Sequence, residues 1–187
     1  PDKPMMITFD DGYESTAVYA VPLLERYGFQ AIVAVIGSVA QMYTDEPDHT
    51  IQYAHMDWET VRTLSQGDTI EIQYHTWDMH RLDSRRGCMQ REGESDSAYR
   101  EALLADMEHF AAVCQEQGVA LCGSIAYPFG AWNDITLETA KEFGFRAAFT
   151  CSEEINFLTG NPEELYHIGR FNRAHGKSSA AFFSIWE

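Results

Sequence analysis

A chain of 187 residues, 45% hydrophobic and 13% aromatic, is long enough for one domain with a real core and too apolar for intrinsic disorder. Its 13 basic and 29 acidic residues leave a formal charge of −16, which repels phosphates and argues against nucleic acid or an anionic membrane surface as a partner. The longest apolar stretch, residues 31–37, is far short of the roughly 20 residues that span a bilayer. The cysteines at 88, 114, 122 and 151 form no C-x-x-C pair, which excludes a zinc ribbon or thioredoxin motif and leaves free, half-buried thiols as the expectation.

In chain order, residues 5–9 read as a buried strand ending in Asp10, Asp11 and Gly12. Residues 16–27 read as a helix with Ala17, Ala20, Val21, Leu24 and Tyr27 on one face and Gly28 as its stop. Pro22 inside that span implies a kink or a later helix start. Residues 31–35 form a second buried strand. Asp57 caps a helix running to about Gln66, and residues 70–73 make a third strand leading into His75. Residues 83–97 are polar, carry both charge signs and read as a long surface loop, a type that is often functional or mobile. Residues 98–117 form the longest helix, with Leu103, Met107, Phe110, Ala111 and Cys114 on its inner face. A strand at 123–127 and a helix capped by Asn133 and running to Phe143 follow. Residues 147–150 and 166–171 are further strands, and 178–186 a terminal helix. Alternating strands and helices imply a mainly parallel sheet with helices packed outside it, and periodicity does not separate an open sheet from a closed barrel.

Sites in α/β folds form at the carboxyl ends of strands. Three polar clusters fall there: Asp10-Asp11-Gly12, residues 75–80 (His-Thr-Trp-Asp-Met-His) and Tyr127-Pro128-Phe129-Gly130. Adjacent carboxylates point to different sides, so Asp10 and Asp11 can take two roles, one binding a metal while the other stays free as a base. His75 and His80 converge only if the residues between them form a turn. One carboxylate, two imidazoles and an open position make a catalytic zinc site. Taken singly, Asp-Asp-Gly is often a turn with a helix cap, and a His pair at this spacing is more often surface or core. Three such clusters in one small domain are harder to dismiss.

The run Thr8-Phe9-Asp10-Asp11-Gly12, followed by the strand at 31–37, the segment 70–80 and the segment 126–130, resembles the NodB-type polysaccharide deacetylases, carbohydrate esterase family 4. The resemblance covers most of the chain and implies a distorted (β/α) barrel of about seven strands, with residues 1–187 as a single catalytic domain. It implies Asp10 as catalytic base and Asp11 and His75 as metal ligands. The family's second histidine comes four residues after the first, where this chain has Met79. The five-residue spacing to His80 is similar to that of the poly-β-1,6-N-acetylglucosamine deacetylase branch, which makes His80 the third ligand and Asp78 its rival. The motif Arg-x-Pro-Tyr appears here as Ala126-Tyr127-Pro128-Phe129, without the arginine that orients the base. Arg170 or Arg173 is the candidate replacement by position. Leu165-Tyr166-His167 matches the letters of the general-acid motif, with His175 as the alternative. Glu153 or Glu154 stands in for a missing fourth-motif aspartate, and His49, His55 and His109 read as surface residues.

The resemblance implies metal-assisted hydrolysis of an N-acetyl group on an N-acetylglucosamine-containing polysaccharide. Asp10 takes a proton from water, the backbone N–H of Phe129 helps hold the oxyanion, and His167 protonates the leaving amine. Zinc is the default metal for this nitrogen and oxygen donor set, and cobalt, nickel or iron fits the same ligands. Trp77, Tyr127, Pro128 and Trp132 are candidates to line the sugar site, although aromatics there serve equally as core. The partner is then an acetylated glycan, and the location extracellular or in the cell envelope. Two other readings compete: a peptidoglycan deacetylase or small-amide amidase on the same site, and a catalytically weak glycan-binding relative.

Overall fold

The computed structural model describes residues 4–184. Five parallel strands form one sheet in sequence order: β1 (Ile7–Phe9), β2 (Ala31–Val35), β3 (Ile70–Tyr74), β4 (Leu121–Ala126) and β5 (Ala147–Phe149). Between and after them run α1 (Val21–Tyr27), α2 (Gly37–Asp45), α3 (Trp58–Ser65), α4 (Asp96–Gln117), α5 (Asp134–Phe143) and α6 (Ser179–Phe183). No helix among the described residues is long and apolar enough to cross a membrane.

Strand alternation divides two layers of apolar contact. Val33 and Val35 of β2, Ile70, Ile72 and Tyr74 of β3, and Ile125 of β4 face the helices and form the main core with Leu103, Met107 and Phe110 of α4. The opposite faces of the strands supply a small inner cluster of Ala34, Ala126 and Phe149, with Ile32 and Ile168 packed on it.

The sheet is strongly curled. Residues 168–170 run alongside β5 on its outer edge, through Ile168 N–H to Ala148 O (3.0 Å), Thr150 N–H to Ile168 O (2.8 Å) and Arg170 N–H to Ser152 O (2.8 Å). In a flat sheet that edge would lie about 24 Å from β1, five spacings of about 4.8 Å. Yet the Arg170 guanidinium hydrogen-bonds Thr8 Oγ1 of β1 at 3.2 Å. The two edges have therefore been brought together around an interior, as in an incompletely closed barrel.

Five strands, not seven, are present among the described residues. The expected strand at 166–171 is half right: Asn161 caps a 3₁₀ turn over Pro162–His167, and only then does the chain extend beside β5. The turn arises because Pro162 fixes the backbone at its start and Tyr166 is held sideways by its hydroxyl donating to Phe145 O at 2.7 Å. Pro22 has the anticipated effect, since a π-helical turn over Thr16–Ala20 precedes α1. The caps at Asp57 and Asn133 form as read, the latter as a reciprocal capping box with Thr136. α2 was not foreseen, and the expected helix through Trp186 extends outside the described residues. Cys88 and Cys114 are buried free thiols, while Cys151 is exposed.

The 83–97 loop is tied down. Arg85 is 5% exposed, pairs with Glu94 at 2.7 Å, donates to Met89 O at 2.8 Å and lies over the Tyr99 ring. Gly87 donates to Arg81 O at 2.8 Å and has φ +56°; a Cβ there would come within 2.6 Å of Pro128 O. The loop is thus a strut between the segment after His80 and the segment carrying Phe129.

Gly37, the first residue of α2, lets that helix pass directly beneath Trp77. A Cβ on it would come within 2.4 Å of the indole and 2.7 Å of Phe110. Gly37→Ala is therefore expected to destabilise the fold by about 1–3 kcal/mol through overpacking, read as a lower urea midpoint at unchanged slope.

Candidate active site

The site sits where the first, third and fourth strands end. Three non-glycine residues among those described have positive φ: Asp11 (70°), Thr76 (73°) and Phe129 (58°). All three lie directly after strands, in the three clusters named from sequence. Such backbone costs of order 1–3 kcal/mol each and persists where surrounding contacts over-determine it. Here it turns each strand end so that its side chains meet.

His75 is the hub. It is 2% exposed, and its Nδ1 donates to Ala126 O at 2.7 Å. That bond leaves the Nε2 lone pair free, and Nε2 faces Asp11 Oδ1 at 3.3 Å. The carbonyl lies just past a bulge in β4: Ile72 pairs with Leu121, but Tyr74 pairs with Ile125. The buried Gln73 side chain accepts from Ser124 N–H at 2.8 Å and so satisfies the ladder where the bulge interrupts it.

His80 completes the group, with Nε2 3.2 Å from Asp11 Oδ1. Asp11, His75 and His80 offer one ligand atom each, all within 4.8 Å of one another. Lone pairs of two imidazoles and a carboxylate converging on one point need a cation or proton between them, so this donor set fits a divalent metal of zinc's class. Burial pushes the Asp11 acid up, but the His75 hydrogen bond and the charges of His75, His80 and His55 outweigh it and bring it below its ordinary range. Burial, then neighbouring His75, push the His80 pKa down, against the pull of Asp11, which favours the neutral imidazole that a metal requires.

Asp10 lies beside this group and outside it. Arg170 clasps it in a two-pronged pair, Nη1 to Oδ1 at 2.7 Å and Nη2 to Oδ2 at 2.8 Å. The guanidinium is itself aimed by Nε donating to Thr150 O at 3.0 Å. Of the two arginines named from sequence, Arg170 therefore reaches Asp10, whereas Arg173 lies over the Phe182 ring. Asp78, the rival ligand, is turned outward to Arg81 and Ser38.

The remaining expectations meet varied placements. The Phe129 ring lies 4.4 Å from that of His80, so the third cluster does adjoin the ligand group. Tyr127 is fully buried and stacked on Trp132, and Pro128 is buried too. Tyr127 belongs to the main core cluster, on the helix side of the sheet. Trp77 packs edge-on against His109 and onto Gly37, on the same side of the sheet. His167 is exposed at the end of the 3₁₀ turn with its ring 4.8 Å from Trp132, and the cluster of candidate ligands includes neither it nor His175. The period of two in the following extended segment explains this: Ile168 and Arg170 face inward, so His167 faces out. Glu153 accepts from Asn172 N–H at 2.9 Å, a loop contact.

Two side chains near the site escaped the sequence reading. His55, read as surface, is half-buried against Tyr13 (ring centroids 4.2 Å apart), and its segment pairs with residues 12–14 just after Asp11. Asp106 is 9% exposed and reaches from α4 to the turn that carries His80. Its signal was a carboxylate at the third position after Leu103 and the fourth before Phe110, inside an apolar stripe.

A family profile described as polysaccharide deacetylase matches residues 1–148. Poly-β-1,6-N-acetyl-D-glucosamine N-deacetylase of Escherichia coli K12 is 23% identical over 201 residues, aligning with 97% of this chain and 29% of its own length. The chain spans between 29% and 55% of the length of the curated relatives it matches. Among solved structures, the BpsB deacetylase domain from Bordetella bronchiseptica is 29% identical with a TM-score of 0.74, covering 91% of this chain and 71% of its own. A de-N-acetylase from Aggregatibacter actinomycetemcomitans is 22% identical with a TM-score of 0.80 over 98% of this chain and 75% of its own, a likeness of fold.

The Asp10–Arg170 pair is partly enclosed, with side chains 31% and 16% exposed. Arg170→Met is expected to lower unfolding free energy by about 2 kcal/mol, because it leaves a carboxylate unpaired. Asp10→Asn combined with Arg170→Met should recover much of that loss, a non-additivity read directly by denaturant titration of the four proteins.

Proposed function

Because the chain belongs to the polysaccharide deacetylase family, we propose that it hydrolyses N-acetyl groups of an N-acetylglucosamine-containing polysaccharide, releasing acetate and leaving a free amine. The observation that carries this reading is the division of labour between two adjacent carboxylates. Asp11 faces two imidazole nitrogens, while Asp10 is turned away from them into an arginine. Asp11, His75 and His80 would hold the metal, with zinc the first candidate. When bound, it supplies Lewis-acid polarisation of the acetamide carbonyl and activation of water.

The protein's own groups then do the following. Arg170 holds both oxygens of Asp10, so the carboxylate is fixed in orientation before substrate arrives. Asp10 acts as general base and takes the proton of the attacking water. The backbone N–H of Phe129, beside His80, is assigned to the oxyanion that develops on the acetyl oxygen. When the C–N bond breaks, its electron pair stays on nitrogen, and the proton held by Asp10 returns to it. Assigning this return to Asp10 follows from the position of His167 against Trp132, outside the ligand cluster. The products are acetate and an ammonium group.

The absent motif arginine favoured a non-catalytic glycan binder. Arg170 reaches Asp10 from the extended segment beside β5, which supports the enzyme reading. The relatives named for poly-β-1,6-N-acetyl-D-glucosamine support that polymer as the first substrate to assay, and an extracellular or cell-envelope site of action.

Asp11→Ala, His75→Ala and His80→Ala are each expected to weaken zinc binding by more than about 100-fold, beyond what loss of an outer-shell partner costs. Asp10→Asn should bind zinc as the wild type does and lose turnover by at least about 100-fold. Zinc titration beside acetate release from N-acetylglucosamine oligomers checks both. Normal zinc binding by His80→Ala, with loss in Asp78→Ala, would reverse the ligand assignment. No acetate release from any acetylated glycan at full zinc occupancy would return the chain to the glycan-binding reading.

A further inference from the structure

The segment that delivers His80 is short and turned against its own preference. β3 ends at Tyr74, His75 points inward, and five residues later His80 must face the same carboxylate oxygen. The reversal passes through Thr76 at φ 73°, a conformation that β-branched residues strongly resist. The two peptide N–H groups that follow cannot enter a strand ladder. Both are taken by one side chain: Trp77 N–H donates to Asp106 Oδ1 at 2.6 Å and Asp78 N–H to Oδ2 at 2.9 Å. The Tyr74 hydroxyl, on the residue before His75, donates to the same carboxylate. One group on α4 therefore grips the chain immediately before His75 and immediately after Thr76.

Stability alone is a poor reason for a carboxylate at this place. Position 106 lies on the apolar stripe of Leu103, Met107 and Phe110, all fully buried. Burying a charge there costs free energy, and an apolar residue of similar size would commonly do as well or better for the fold. Burial in fact pushes the Asp106 acid above its ordinary range, against the three donors that favour the ionised form. What an apolar residue would not supply is a pair of acceptors placed to receive two consecutive peptide N–H groups.

We propose that Asp106 is a positioning residue of the metal centre: by clasping the Trp77 and Asp78 peptides it fixes the curvature of the turn and so brings His80 to Asp11. The inference rests on the metal-centre reading above. It predicts a specific coupling, with Asp106 setting metal affinity mainly through His80, because both peptides it clasps lie between Thr76 and His80.

The test is zinc affinity, measured by competition with a chelator, for wild type, Asp106→Asn, His80→Ala and the double variant, with near-ultraviolet circular dichroism as the check of folding. Asp106→Asn replaces one acceptor by an amide NH₂ facing an N–H. It is expected to weaken zinc binding about tenfold or more, the range typical of outer-shell partners. The double variant should bind no more weakly than His80→Ala alone, because both changes remove the same contact. A purely structural role would instead give additive losses, or a lower melting temperature with unchanged affinity, and either result overturns the proposal. Should Asp106→Asn not fold, Asp106→Glu keeps the charge and displaces it by one methylene, and unchanged zinc affinity in that variant equally overturns it. Failure of the wild type itself to bind zinc, cobalt, nickel or iron would overturn the metal centre and this inference together.

Discussion

A two-pronged ion pair between residues 160 positions apart is the constraint on which the architecture turns. Arg170 stands at one edge of a parallel sheet and Asp10 at the other, and an arginine spans only a small part of the distance that a flat sheet would put between them. The curl of the sheet is what makes the pair attainable, and the pair in turn fixes how far the curl proceeds. A guanidinium fork meeting a carboxylate at 2.7 and 2.8 Å tolerates little rotation of either partner. The same closure gathers the ends of the first, third and fourth strands around one mouth, so Asp10 meets Arg170 where Asp11, His75 and His80 come together.

Inside that mouth, precision comes from backbone more than from side chains. The imidazole of His75 is oriented by a peptide carbonyl beyond a bulge, and Gln73 repairs the hydrogen bonding where the bulge interrupts it. The left-handed backbone at Asp11, Thr76 and Phe129 stores strain at three points of one ring around the site. The compensating contacts lie behind it, in the packing of α2 and α4 and in the Arg85-anchored strut beneath Phe129. A site built this way has its side chains held by backbone and packing contacts rather than by one another.

Much of this was legible in the sequence, and what was not has physical reasons. Asp10, Asp11, His75 and His80 stood out because each follows an apolar run of strand length, and strand ends are where α/β sites form. Helices with Asp, Asn and Gly at their ends were readable because capping is local chemistry. Arg170 was visible only as one of two charged residues near a late strand, since its choice of partner depends on sheet closure, which no local pattern encodes. Asp106 was hidden inside a helix whose apolar stripe is otherwise regular. The 83–97 segment looked like a free loop because its composition is polar. Its anchor, a buried Arg85–Glu94 pair, uses the very residues that make a segment look solvated. His167 fits the letters of a motif, but it ends the 3₁₀ turn over Pro162–His167, which sets the phase of the extended segment that follows and leaves it exposed, a placement no local pattern of letters encodes.

The position of Arg170 also orders events in time. It lies beyond residues 1–148, the part that matches the family profile, and its partner is 160 residues earlier. At a synthesis rate of roughly 5–20 residues per second, about 8–32 s separate the emergence of the two. For roughly the last 4.5–18 s of that interval, while the 90 residues after His80 are made, the nascent chain carries Asp10, Asp11 and both histidines but its sheet has no clasp to hold the edges together. A ribosome-bound intermediate can thus own every candidate ligand and still leave Asp10 unpaired with Arg170. The carboxylate of Asp10 gains its orientation only when the segment carrying Arg170 has been made and the sheet edges have met.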